Sequence, residues 1–458
     1  MPKEKLLHKR EKIVGMILIK NGTIIDPVSE RLYRADLEIK KGQIDKITVQ
    51  EKTTGLQDEG EIAEATAEKS MEDVQVIDGT GLLIAPGLAD THVHFRDPGF
   101  TYKEDIFTGA KAAKKGGFTE IVLMANTKPP VDNAETLTYV LSRGKETGIH
   151  VTSCANVTMG MGGKVLVPME ELAQAGAAGF TDDGIPLLNA ELTKEAMMRA
   201  KALGKPISFH EEDPQLIQNN GVNAGKAAAF YQIGGSPREA EISLVKRDLE
   251  LAKQTGADVV IQHISTAEAV ELLRQYKKEG TKVHGEATPH HFTLTEDAVI
   301  TKGTLAKMNP PLREEADRLA IIEGLRDGTI DLIATDHAPH SSEEKEKPIT
   351  EAPSGIIGLE TALSLGIREL VQKGYLTWSQ LIQRMSTAPC KLYGIKGGVI
   401  QEGAAANLVI FHPEETWKVT SFVSKSCNSP FLGEELPGVI YYTICDGEIV
   451  YRRREEDE

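Results

Sequence analysis

From Met16 the chain alternates apolar and polar residues in short runs: "MILIKNGTIIDP", "ADLEIKKGQIDKITV" and "VQVIDGTGLLIAPG". A period of two is that of half-buried β-strands, whose successive side chains face opposite sides. Asn21-Gly22 and Lys41-Gly42 carry the turn chemistry of tight hairpins. Between the second and third runs lies "EKTTGLQDEGEIAEATAEKSMED", residues 51–73, acidic and without aromatics. It reads as an exposed insertion. Alternation returns near the other end in "ANLVIFHP" from Ala406 and "GVIYYTICDGEIVYRR" from Gly438. The two ends are therefore expected to pair into one small β domain.

The central pattern is different. Unbroken apolar runs, each closing on polar residues, recur as "GLADTHVHF", "EIVLMANT", "HVTSCANVT", "AAGFTDDG", "PISFHEED", "DVVIQHIST", "KVHGEATPHH" and "DLIATDHAPH". Between them, segments such as "KEDIFTGAKAAKKGG", "ETLTYVLSRGKETG", "TKEAMMRAKALG" and "EAEISLVKRDLELAKQTG" have helical spacing and end at glycine. Strands alternating with amphipathic helices call for a parallel sheet, and eight of them for a (β/α)8 barrel of the TIM type. The expected organisation is a tail over 1–15, a β-sandwich assembled from 16–85 and 396–458, and a barrel over 86–395.

A chain of 458 residues accommodates one large and one smaller domain. The net charge of −16 excludes a basic footprint for nucleic acid or anionic membrane. No run is long enough to cross a bilayer, and the basic start lacks the apolar stretch of a secretory signal. A cytoplasmic location is expected. Cys154, Cys390, Cys427 and Cys445 are scattered, with no C-x-x-C pair, and read as free thiols. Cys154 suits a small buried apolar position better than a nucleophile.

The chemistry gathers where the apolar runs end. In "THVHFRDPG", His92 and His94 are two positions apart, so on a strand both project from one face and can grip one metal ion. Asp183, His210, His263 and Asp336 close other runs, and in a barrel such ends meet at one mouth. Four imidazoles and two carboxylates suit zinc or a similar ion, whereas magnesium or calcium would take an oxygen-rich set. A single histidine such as His210 is as well explained by core hydrogen bonding; the H-x-H pair and the buried aspartate of "TDHAPH" are not. His284, Glu286, His290 and His291 could form a second cluster by composition and are given supporting roles. His8, His150 and His412 read as incidental.

With these residues in view, "DTHVHFRDPG", "ANTKP", "GFTDDG", "FHEE", "QHIST", "ATPHH", "KMNPP" and "ATDHAPH" resemble, in order and spacing, the dihydroorotases of the large bacterial type within the amidohydrolase superfamily. The likeness runs from about Met16 to Tyr451. It implies a (β/α)8 barrel with a β-sandwich and reversible closure of N-carbamoyl-L-aspartate to L-dihydroorotate in pyrimidine synthesis. It implies one or two zinc ions per subunit: one on His92, His94, Asp183 and Asp336, a second on Asp183, His210 and His263. Asp183 would replace the carboxylated lysine that bridges the metals in hydantoinases, allantoinases and other dihydroorotases, with neighbouring Asp182 the competing choice. His94, Arg96, Asn126, Asn309, His340, Ser354 and Gly355 would surround the substrate, with Asp336 as proton shuttle. The family's substrate loop often has a larger residue where Ser354 stands. A homodimer is expected, with aspartate carbamoyltransferase as a possible protein partner. The competing readings are a related cyclic amidase, hydantoinase or allantoinase, and a non-catalytic scaffold for aspartate carbamoyltransferase.

Overall fold

A computed structural model describes residues 15–50 and 74–454. The N-terminal tail, up to residue 14, and the acidic insertion lie outside the described residues. Both ends of the chain enter one eight-stranded sheet. The first part supplies β1 (Met16–Asp26), β2 (Arg31–Lys40), β3 (Gln43–Val49), β4 (Val74–Asp78) and β5 (Leu83–Pro86). The last part supplies β14 (Leu408–Lys418), β15 (Glu435–Cys445) and β16 (Glu448–Arg452). The order is β16-β15-β14-β5-β1-β2-β3, with β4 on β1. One face buries Ile17, Ile19, Leu37, Leu408, Ile410 and Ile444 together, which is what the period-two pattern requires.

One turn expectation is corrected. Lys41-Gly42 does join β2 to β3, with φ of 53° and 81°. Asn21-Gly22, however, lies inside β1, where the register against β2 shifts between Ile19 and Gly22. Asn21 holds a φ of 59°, and its N–H donates to Asp36 Oδ1 at 2.8 Å. Asn-Gly advertises tolerance of positive φ, which a bulge uses as readily as a hairpin.

The central strands are β6 (Leu88–Val93), β7 (Phe118–Leu123), β8 (His150–Ser153), β9 (Phe180–Thr181), β10 (Ile207–Phe209), β11 (Val259–Ile261), β12 (Val283–Ala287) and β13 (Leu332–Ile333). Seven of them fall within the apolar runs; β7 begins two residues ahead of its run, at Phe118. They form a three-stranded sheet, β6-β7-β8, and a five-stranded one, β13-β12-β11-β10-β9. All these pairings are parallel. Single parallel bridges join the two sheets at Ala155↔Phe180 and Val93↔His337. Helices including Ile106–Lys115, Ala134–Gly144, Ala190–Ala202, Arg238–Thr255 and Ala267–Lys278 connect the strands. The first is started by Asp105, whose carboxylate accepts from the N–H of Phe107 and Thr108; the helix Arg238–Thr255 is stopped by Gly256 at φ 65°.

The terminal sheet is tied to the central strands beside Gly87. Its N–H donates to the Asn407 carbonyl at 2.8 Å and its carbonyl accepts from Ser386 at 2.6 Å. A Cβ here would meet Thr119 at 2.2 Å, so no larger residue fits. Nearby, His150 donates from Nδ1 to Glu120 and from Nε2 to Asp446, both at 2.8 Å. Asn407 donates to the same Glu120 oxygen and accepts from the Asp446 N–H. His150 is therefore a tie between the two parts of the chain and not incidental.

Hydrogen bonding to Glu120 raises the imidazole's pKa from 6.5 to about 9 against the opposing effect of burial. The folded value lies above the unfolded one, so this contribution is full below pH 6.5 and is lost as pH rises through about 9. The melting-temperature difference between wild type and His150→Gln, followed against pH, should shrink across that window. A difference independent of pH would refute the charge. With the side chain 39% exposed, the effect will be small.

Candidate active site

The polar residues that end the central strands meet at one mouth, because parallel strands all present their C-terminal ends to the same side. His92 is the penultimate residue of β6, before Val93, with His94 just beyond the strand, and Asp183, His210, His263 and Asp336 follow β9, β10, β11 and β13. All six are buried. His92 Nε2 lies 3.4 Å from Asp183 Oδ1 and 3.5 Å from Asp336 Oδ1. His94 Nε2 lies 3.4 Å from Asp183 Oδ2 and 3.0 Å from Asp336 Oδ1. On the other side of Asp183, Oδ1 is 3.8 Å from His210 Nδ1 and 3.7 Å from His263 Nε2, and those two nitrogens are 2.9 Å apart. Asp183 thus faces both halves of the cluster.

Asp182 is turned away. Its carboxylate accepts from the N–H groups of Val157 and Thr158, the Asn156 amide and the Thr158 hydroxyl. Adjacent residues at a strand end point to opposite sides, and these donors decide which of the two faces the mouth.

Several contacts aim the imidazoles. His92 Nδ1 donates to Glu286 Oε1 at 2.7 Å, leaving Nε2 toward the cluster. His94 Nδ1 donates to Asn126 Oδ1 at 2.9 Å, and the amide of Asn126 also donates to the Asp183 carbonyl at 3.2 Å. A carboxylate or amide on the far nitrogen of a histidine is the usual support of a metal ligand. The sequence assigns Glu286 only a supporting role, and no local pattern reveals that it reaches His92 across 194 positions. Asp90 was missed altogether. It bonds the N–H groups of His92 and Thr335 and so ties the ends of β6 and β13, and burial pushes its carboxyl up to about 7.

The donors fit a cation. His92 Nε2 and Asp183 Oδ1 are buried with no hydrogen-bond partner, a costly arrangement that a metal between them resolves. Burial pushes Asp183 and Asp336 up, but the surrounding imidazoles outweigh it and hold both carboxyls well below the ordinary value. Two groups of three converging donors result, His92, Asp183 and His263, and His92, His94 and Asp336. A third group, His150, Cys445 and Asp446, lies at the junction with the terminal sheet, and both its imidazole nitrogens are already bonded to carboxylates. The four cysteines are free, and burial pushes the Cys154 thiol up to about 12, away from use as a nucleophile.

A cavity of about 220 Å³ opens over the cluster, of a size for a small molecule. It is lined by His94, Arg96, Asn126, Asp183, His210, His263, Asn309, Asp336, Ser354 and Gly355, all expected there, and by Asn220, which has no sequence signature. The Asn309 amide nitrogen lies 3.2 Å from His210 Nε2. His340 does not line the cavity. Its Nε2 donates to the Ser354 carbonyl at 2.9 Å, and Lys103 Nζ lies 3.2 Å from its Nδ1. Arg96, His263 and Asp336 hold positive φ of 59°, 31° and 48°, rare for residues with side chains and typical of sites that aim a group at a ligand.

A buried set of imidazoles and carboxylates at the ends of parallel strands, beneath a small polar cavity, defines the hydantoinase-like class of amidohydrolases. L-hydantoinase (dihydropyrimidinase) from Arthrobacter aurescens superposes with a TM-score of 0.81 at 25% identity, covering 96% of each chain. Dihydropyrimidinase from Brevibacillus agri superposes with a TM-score of 0.78 at 23% identity, over 95% of each chain, and shows the fold. Within this class the chain belongs to the dihydroorotase family. The model of that family, described as dihydro-orotase-like, matches residues 81–269. The dihydroorotase of Clostridioides difficile is 55% identical over 95% of this chain and 100% of its own length, and that of Clostridium acetobutylicum 46% identical over 95% and 99%.

Proposed function

We propose that this protein interconverts N-carbamoyl-L-aspartate and L-dihydroorotate as a zinc-dependent cyclic amidohydrolase of pyrimidine synthesis. The observation that carries the proposal is the convergence of six ligand-type side chains, with Arg96 at the rim of the same cavity. Asp183 in the bridging place, where a related hydantoinase or allantoinase would use a lysine, favours this reading over those. A scaffold without catalysis has no need of an intact donor set. His92, His94, Asp183 and Asp336 would hold one ion, and Asp183, His210 and His263 a second. When bound, such ions lower the pKa of water and polarise a carbonyl.

The chain's own residues do the rest. Asp336 faces the cavity and can take a proton from the attacking water and pass it to the departing ring nitrogen. The planar fork of Arg96 matches a carboxylate with two parallel hydrogen bonds. Asn126, Asn309 and the Ser354-Gly355 rim complete the pocket. His340 would act on the substrate through the Ser354 backbone, whose carbonyl it holds at the cavity rim.

The two bridges between the central sheets support a closed (β/α)8 barrel over 86–395, with the terminal sheet, from 16–85 and 396–458, as a separate β-sandwich. The homodimer, the association with aspartate carbamoyltransferase and the cytoplasmic location belong to this proposal through the family resemblance alone. Among the described residues no helix is long and apolar enough to cross a membrane.

Elemental analysis with parallel assays on dihydroorotate, hydantoin and allantoin tests the reading. Bound zinc and preference for dihydroorotate support it; preference for either of the others refutes it. Arg96→Met should raise KM for dihydroorotate about tenfold or more, since losing a hydrogen bond to a charged group costs about 1.5–3 kcal/mol. An unchanged KM would remove Arg96 from the substrate site.

A further inference from the structure

We infer that Lys307 and Lys345 are positioning residues for the substrate: they hold the backbone of the 349–355 loop from behind and set where Ser354 and Gly355 stand at the cavity rim. The inference rests on the reading of that cavity as the dihydroorotate pocket.

Both lysines are buried and neither lines the cavity. Lys307 Nζ donates to the carbonyls of Ile349 at 2.7 Å and Ala352 at 2.6 Å. Lys345 Nζ donates to those of Pro353 at 2.9 Å and Gly355 at 3.1 Å. The set is closed by His340 on the Ser354 carbonyl and by Asn428, which donates to the carbonyls of Gly355 and Ala338. The loop also returns a bond, from the Gly355 N–H to the Lys307 carbonyl at 2.8 Å.

Every carbonyl from Ala352 to Gly355 therefore meets a donor that lies outside the cavity. A carbonyl oxygen turned inward would repel a substrate carboxylate; here none of the four is free to turn. Ser354 and Gly355 can then approach an anion without presenting an acceptor to it. Burying an ammonium is costly, and such lysines are kept where they make several hydrogen bonds. Burial draws Lys307 down to about 8; burial and the like charge of Lys307, opposed by Glu344, draw Lys345 to about 7. Charged or neutral, each amine keeps at least two N–H groups for its two carbonyls.

Lys307→Met and Lys345→Met, made in the full-length metal-loaded enzyme, should raise KM for dihydroorotate about tenfold while kcat stays within about threefold and metal content is unchanged. Lys345→Gln, which keeps a donor, should show a smaller rise. A merely structural lysine would change the yield and melting temperature of the enzyme but not the KM of its folded fraction. Unmoved KM in folded, metal-loaded variants overturns the inference. If the methionine variants do not fold, Lys307→Gln and Lys345→Gln carry the same comparison, and unmoved KM in both overturns it equally. A wild-type enzyme inactive on dihydroorotate overturns the substrate reading and this inference together; an active wild type with unmoved variants overturns the inference alone.

Discussion

Alanine at both His92 and His94 should strip the metal from the protein and abolish turnover of dihydroorotate, while the chain still folds. Each of the two converging donor groups contains His92, and the second contains His94 as well, so the double variant leaves neither intact. What remains is Asp183, Asp336 and Glu286 close together with much of their positive surroundings gone. With those imidazoles gone, the carboxyls of Asp183 and Asp336 lose much of what holds them low and shift upward. The fold survives because β6 is held by its pairing with β7 and by apolar neighbours such as Leu88 and Val93. Loss of Glu286's partner costs about 1–3 kcal/mol, a lowered melting temperature and not an unfolded chain. Metal content, circular dichroism and turnover decide the matter. A double variant that stayed metal-loaded and active would sink the assignment of the centre.

Asp336→Asn should cost at least about a hundredfold in both ring opening and ring closure, the lower end of what a positioned proton-transfer group contributes. The substitution is well suited to the question. Asp336 sits at φ 48°, and asparagine tolerates that region as aspartate does, so the backbone need not move. Size is kept, while the capacity to carry a proton is lost. Microscopic reversibility requires both directions to fall together. Closure of the dianionic carbamoyl aspartate consumes one proton as water leaves, so the equilibrium should favour the ring by about tenfold for each unit of falling pH. The variant must show the same equilibrium with slower approach from either side. Near-normal rates in a metal-loaded Asp336→Asn would make Asp336 a ligand only, and His340 would become the first candidate for the shuttle.

Much of this architecture was legible because it is periodic. Eight apolar runs locate eight parallel strands, and polar residues closing six of them line the cavity because strand direction is shared. His92 and His94 needed only the two-residue repeat. The features that escaped are those with no period. Asn220 reaches the cavity from an irregular segment. Glu286 was visible as a residue but not as the partner of His92, since nothing local connects positions so far apart. Asn21-Gly22 suggests a hairpin because composition reports permitted backbone angles and not their use. His150 looks incidental in the sequence because one of its partners, Asp446, lies 296 positions away and no local pattern pairs it with Glu120.

The sharing of one sheet by both ends also has a meaning for synthesis on the ribosome. Ile47 donates to Glu402 across 355 positions, and β5 meets β14 over a similar span. At 5–20 residues per second, the first strands wait roughly 20–70 s for their neighbours to be made. Throughout that interval β5 lacks β14 and leaves backbone donors and acceptors open to any passing strand. A ribosome stalled before Leu408 would release a chain whose central helices and strands are complete but whose first sheet is open along one edge. Such nascent fragments should be aggregation-prone and dependent on chaperones, and the last fifty or so residues act as the latch that ends this exposure.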